Sequence, residues 1–164
     1  MRVPISYAIS TVDPSPSIIL LMYIFWPTTP QDFETYYEIR WRILRQPWHQ
    51  PRGSERDAFE KQSRHVMVHD ANHRPIAVGR VHFPKLYEAQ IRYMAVELGD
   101  RHRGAGRLTL DSLEQYAREQ GARIIFLNAR IAVIDFYKKM GYQVTGKAHT
   151  LFSAVRHVRM QKRM

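Results

Sequence analysis

Residues 101–106 read Arg-His-Arg-Gly-Ala-Gly and stand between a strand-like run, Ala89–Val96, and a helix-like run from Arg107. Glycines in such a turn let the backbone approach a ligand closely. The first N–H groups of a helix have no helical partner and stand out as donors. Arg101 and Arg103 add charge-assisted donors for phosphate oxygens. The stretch reads as a cradle for a pyrophosphate-bearing ligand; the plainer alternative is a tight turn with solvated arginines. The Walker pattern fails because no Gly-Lys-Ser/Thr follows. The dinucleotide fingerprint fails because there is one Gly-x-Gly, in mid-chain.

A second block, residues 127–142, reads Leu-Asn-Ala-Arg-Ile-Ala-Val-Ile-Asp-Phe-Tyr-Lys-Lys-Met-Gly-Tyr. The first block, Arg-x-x-Gly-x-Gly after a strand, resembles the acetyl-CoA signature of the GNAT N-acetyltransferase superfamily. The second is similar to that superfamily's other motif, through Asn128, Ala132, Phe136, Tyr137, Gly141 and Tyr142. The two lie in the superfamily's order, with one helix and one strand between them. The resemblance covers roughly residues 22–160, and its specificity lies in 94–142.

The resemblance implies an enzyme that transfers an acetyl group from acetyl-CoA directly to a primary amine of a small molecule or peptide. It assigns the pyrophosphate cradle to Arg101, Arg103, Gly104, Ala105 and Gly106. It assigns strand-like main-chain pairing with the pantetheine to Met94, Ala95 and Val96. Asn128 would hydrogen-bond the cofactor, or equally cap the next helix. Tyr137 would be the general acid that protonates the departing CoA thiolate; by position alone it packs in the core beside Phe136. The chain departs from the family at the general base. Some histone-type members have Glu where Gln90 stands, and Gln90 cannot accept a proton. Glu88 and His82 are nearby in sequence, and a bridging water is a third route. With no cysteine and no placed Ser–His pair, a covalent acyl-enzyme is not expected.

His149, His157, Trp41 and Trp48 are candidates for the acceptor pocket, with Arg45 as a carboxylate anchor. Each also has an ordinary reading as core or solvated surface. No metal-ligand spacing appears, so no metal is expected. The absence of cysteine excludes a disulfide framework and suits a reducing cytoplasm, the expected location. The formal charge of +10 calls for anionic ligands, which a phosphate-rich cofactor satisfies. The basic C-terminal group Arg156, Arg159, Lys162 and Arg163 motivates an alternative, a nucleic-acid-associated module. No nucleic-acid motif accompanies it, so no specific nucleic acid is expected as partner. A non-catalytic acyl-CoA-binding domain is the other alternative. The apolar run Ile18–Phe25 is too short to cross a bilayer, which needs about 20 residues, so no membrane partner is expected. A homodimer is the expected assembly.

The elements that must position these groups form one domain over residues 22–164. Residues 1–21 read as an irregular N-terminal extension or an over-long translation start, with Pro4, Asp13-Pro14 and Ser15-Pro16. Ile18–Trp26 reads as the first strand. A helix follows from Pro30 to about Gln46, with Thr29 as its cap, and a second helix from Ser54, with Asp57 in the capping-box slot. His65–His69 and Pro75–Phe83 read as a hairpin. Ala89–Val96 is the central strand, Gly106–Gln120 a helix, Arg123–Asn128 a buried strand and Ile131–Met140 a helix closed by Gly141. Tyr142–Lys147 and Leu151–Met160 complete the sheet. This is an α/β fold, a mixed central sheet flanked by about four helices. The resemblance implies that the central strand and the next splay apart around the cofactor.

Overall fold

The computed structural model describes residues 21–164. Of the expected extension over residues 1–21, only Leu21 lies among them. Of the expected strand Ile18–Trp26, the described part forms β1, Met22–Phe25. Thr29 then caps α1, Pro30–Leu44, as its residue type dictates. Its hydroxyl accepts from the Asp32 backbone N–H at 3.1 Å, and the Asp32 carboxylate accepts from the Thr29 N–H at 2.9 Å.

The segment expected as a second helix is instead a series of turns with a short 3₁₀ turn at Glu60–Gln62. The reason is visible in its residues. Between Gln50 and Ser63 only Ala58 and Phe59 are apolar, so a helix there would have no stripe to bury. Its Asp57 and Glu60 carboxylates are drawn elsewhere, to arginines of α1 and of the sheet. The sheet is therefore flanked by three α-helices.

The hairpin β2–β3, Arg64–Asp70 and Pro75–Lys85, forms as expected, and β4 runs Glu88–Val96. α2 follows at Ala105–Glu119, with Leu110, Leu113 and Ala117 fully buried along its stripe. β5 spans Ile124–Arg130. A 3₁₀ turn at Ile131–Val133 leads into α3, Ile134–Lys139, and then β6, Gln143–Lys147. The strand expected over Leu151–Met160 starts late. Phe152 and Ser153 both take positive φ, so Leu151–Val155 folds back on itself, and β7 is His157–Arg163.

These strands form one sheet in the order β1-β2-β3-β4-β5-β7-β6. Every neighbouring pair is antiparallel except β4–β5, which the crossover helix α2 makes parallel. Its apolar stripe places α2 tightly on β3. A Cβ on Gly79 would lie 2.9 Å from Thr109 Cγ2 and 3.0 Å from Leu113 Cδ1, so only glycine admits this approach.

Candidate active site

The parallel pairing of β4 with β5 covers only Glu88↔Ile124, Ala89↔Ile125 and Gln90↔Phe126. Beyond it, β5 continues beside β7 and β4 continues beside β3. The two strands part, and the edge of Ile91–Val96 that faces β5 has no strand partner among the described residues. A bulge marks this stretch. Tyr93 and Met94 stand together opposite Gly79, and Tyr93 takes φ of 55°. The divergence opens a cleft of about 650 Å³.

Met94, Ala95 and Val96 form one wall of the cleft, and Asn128 lies on the facing strand. Arg101, Gly104 and Gly106 line it where α2 begins. Gly104 is the N-cap of α2 with φ of 94°, a conformation that glycine adopts without strain. The N–H groups of the next turn are therefore presented as donors, and the positive end of the helix adds to the Arg101 charge. Two predicted cradle residues lie differently. Arg103 does not line the cleft, because its guanidinium donates to the Asp100 carboxylate at 3.0 Å. Ala105 is buried against Met22 and Leu108.

Tyr137 projects from α3 and lines the cleft while 92% of its surface is covered, being 8% exposed. Its hydroxyl donates to the Met94 sulfur at 3.6 Å, a weak acceptor. Burial raises the phenol well above its ordinary pKa, against a smaller opposing effect of Arg130, so the hydroxyl holds its proton at neutral pH. Phe136 and Tyr142 pack edge-on against the ring and fix it.

Gln90 lines the cleft, but Glu88 and His82 do not. His82 is 3% exposed and stacks on Phe59 at 4.8 Å. Burial, with Arg80 and Arg92 beside it, pushes its pKa down to about 4. His149 and His157 do line the cleft, their rings stacked at 5.4 Å. A carbonyl can only accept, so the 2.8 Å contact of His157 Nδ1 with the Val155 oxygen places the proton on Nδ1 and leaves Nε2 bare. Burial lowers the His157 pKa most, and the charges of His149 and Arg130 add to this; the Val155 and His149 backbones oppose it without reversing it. Arg45 lines the cleft as well. The tryptophans do not. Trp41 donates its indole N–H to the Gln50 carbonyl, and Trp48 stacks on Phe152.

Beneath the cleft lies an ion cluster that residue spacing did not disclose. Arg40 and Arg80 are fully buried. Arg40 reaches both oxygens of Glu60 at 2.9 Å. Arg80 grips both oxygens of Asp57 at 2.7 Å and also Glu60 at 2.6 Å. Arg92 joins Asp57 at 2.9 Å, and the Arg40 guanidinium lies over the Tyr93 ring at 3.8 Å. The cluster ties the irregular segment to α1, β3 and the bulge of β4. Burial alone would raise the Asp57 carboxyl, but the Arg80 guanidinium, the Phe59 N–H and Arg92 outweigh it and hold its pKa at about 2. A carboxylate depressed in the folded state stabilises the fold above its unfolded pKa, about 3.9. That contribution is lost as pH falls towards 2. His82, whose folded pKa is also below its unfolded one, takes up protons preferentially when unfolded, so it lowers stability from about pH 6.5 down to about 4. Chemical denaturation at a series of pH values should show stability falling in two stages, below about 6.5 and again below about 4. A flat profile between pH 7 and 3 would contradict both assignments.

The pattern of the Acetyltransferase (GNAT) family matches residues 33–142. The uncharacterized N-acetyltransferase YjcF of Bacillus subtilis is 31% identical over 112 residues, covering 68% of this chain and 79% of that protein. The fold is shared with an acyl-CoA N-acyltransferase from Pseudomonas aeruginosa (TM-score 0.72, 16% identity, 87% of this chain and 99% of that one). It is also shared with an aminoglycoside 6′-N-acetyltransferase solved with coenzyme A (TM-score 0.70, 13% identity, 87% and 96%). The chain belongs to the GNAT acetyltransferase family, and its activity class is that of an N-acetyltransferase. Among the described residues no helix is long and apolar enough to cross a membrane, and no group of side chains is placed to hold a metal ion.

Proposed function

We propose that this chain transfers the acetyl group of acetyl-CoA directly to a primary amine of a small molecule or peptide. The observation that carries this is the cleft between the parted strands β4 and β5, with the glycine turn at the start of α2 and the Tyr137 hydroxyl on its walls. Acetyl-CoA supplies the activated thioester. The free edge of Met94–Val96 offers main-chain groups to an extended ligand. Arg101 and the N–H groups after Gly104 hold the pyrophosphate, and Asn128 faces them from β5. Tyr137 donates a proton to the leaving sulfur. His157 Nε2, kept free of a proton, receives one from the attacking amine and stands where Gln90 cannot serve.

The test is a melting curve. Acetyl-CoA at about 100 times its Kd stabilises the folded state by about 2.7 kcal/mol, or roughly 5–10 °C in a domain of this size. Gly104→Val should abolish the shift. Its added Cβ has room, the nearest atom being Met22 Cε at 3.6 Å, but its backbone does not suit a side chain. The strain costs about 1–2 kcal/mol, which leaves the domain folded. Amine-dependent release of free CoA then separates transfer from binding alone. An unchanged shift in Gly104→Val would remove the glycine turn from the site.

A further inference from the structure

Besides Arg101 at the start of α2, two guanidinium groups in the cleft have no carboxylate partner among the described residues. Arg45 closes α1 and is 7% exposed. Arg130 closes β5, on the same face of the strand as Asn128. Both line the cleft, and they converge on one atom. The Leu44 carbonyl accepts from Arg45 Nη1 at 3.1 Å and from Arg130 Nη2 at 3.4 Å. Arg45 Nε is held by the Ser54 carbonyl at 2.9 Å, which fixes the guanidinium in place.

The charge here is not balanced. Leu44 carries one of the last carbonyls of α1, and a helix C-terminus offers about half a negative charge against two full positive ones. Burial lowers the pKa of both arginines, and the nearby charges of Arg45 and Arg101 lower that of Arg130 further. Elsewhere beneath the cleft, Arg40, Arg80 and Arg92 all reach carboxylates. A buried charge left over in a cleft is suited to a charge that arrives with a ligand.

Resting on the acetyl-transfer reading, we propose that Arg45 and Arg130 bind a carboxylate of the acceptor, so that the preferred substrate is an amino acid or another amine that carries a carboxylate. A planar carboxylate suits guanidinium donors in pairs. The two arginines come from opposite sides of the cleft, one on the helix packed against β4 and one on β5. A carboxylate between them would hold the acceptor across the opening, close to the bulge at Tyr93, whose ring lies 5.4 Å from the Arg45 guanidinium. The other anion that enters the cleft is the cofactor's own phosphate, and the experiment separates the two sources.

The probes are L-leucine, L-phenylalanine and L-glutamine, each paired with its uncharged carboxamide, in the CoA-release assay. The amides have the less basic amines and so more of the neutral nucleophile at a given pH. A preference for the acid therefore reports recognition of the carboxylate. For at least one pair, kcat/KM for the acid should exceed that for the amide by about 100-fold, as two charge-assisted hydrogen bonds allow. Arg45→Met and Arg130→Met should bring the ratio near one and leave the melting shift from acetyl-CoA in place. If Arg45→Met does not fold, Arg130→Met, on a half-buried side chain, decides. Equal kcat/KM for acid and amide in every pair overturns the proposal. So does a variant that loses the acetyl-CoA shift while keeping its ratio, since the pair would then serve the cofactor's phosphates. An enzyme that shows the shift and acetylates amines, but none with a carboxylate, overturns the substrate class while sparing acetyl transfer. Absence of both shift and transfer overturns the underlying reading, and this proposal with it.

Discussion

Tyr137→Phe should retain acetyl-CoA binding and lose about 10²–10⁴-fold in the acetyl-transfer step, measured in a single turnover. The substitution keeps the ring that Phe136 and Tyr142 brace and removes only the hydroxyl. Its one hydrogen-bond partner is the Met94 sulfur at 3.6 Å, too weak an acceptor for its loss to threaten the fold. The affected quantity is the charge on the departing thiolate, which without a donor must leave unprotonated. Steady-state turnover would understate the loss if product release is slow, so the single-turnover rate is the relevant readout. A variant with full activity there, and an intact shift with acetyl-CoA, would make Tyr137 a packing residue and leave the proton donor elsewhere on the cleft wall.

Glu60→Ala should cost about 3–5 kcal/mol of folding stability, read from the denaturant midpoint. Glu60 accepts both guanidinium nitrogens of Arg40 and one of Arg80, and Arg40 is fully buried. Removing the carboxylate strands a charge from which water is excluded. Against a typical domain stability of about 5–15 kcal/mol that is a large share. The double variant Arg40→Met with Glu60→Leu removes both charges and substitutes apolar surface. It should recover most of the loss, because a buried ion pair contributes little beyond an apolar replacement. If the single variant changes stability by less than about 1 kcal/mol, water reaches Arg40 and the cluster is not the dry one described.

The outline of this protein was legible in its residues because local chemistry and long-range order agree over most of the chain. Thr29, Pro30 and Asp32 specify the start of α1 without reference to anything distant, and the cap forms as they dictate. The apolar stripe of α2 likewise faces the sheet. The failures are at places where distant residues decide. Ser54 and Asp57 have the types of a helix cap, but Arg80 and Arg92 claim the Asp57 carboxylate from the far side of the sequence. Arg103 resembles Arg101 in the sequence, and only Asp100, turned inward, sets them apart. Arg130 sits two residues beyond Asn128, so alternation along a strand would have put it on the same face. It was missed because the end of a strand looks like solvent until the neighbouring strand is known to depart. His157 is a candidate for the acceptor pocket by residue type alone; its place beside His149 depends on the reversal at Phe152–Ser153, which no local pattern announces.

The brief junction between β4 and β5 has a mechanical consequence. Three residue pairs make up the strand pairing between two half-sheets, β1 to β4 on one side and β5, β7 and β6 on the other, and they lie at one end; towards the other end, among the described residues, only side chains cross, Tyr137 to Met94 and Arg130 to Leu44. Such a joint resists sliding better than it resists opening, so the gap at the far end is the softest dimension of the sheet. Arg45 rides with one half and Arg130 with the other. An extended ligand laid along the edge of β4 acts as a shim that sets the gap, and with it the span between the two guanidinium groups. On the proposed acetyl-transfer reading the site for the second substrate is gauged by the first, and binding of the cofactor should precede that of the amine.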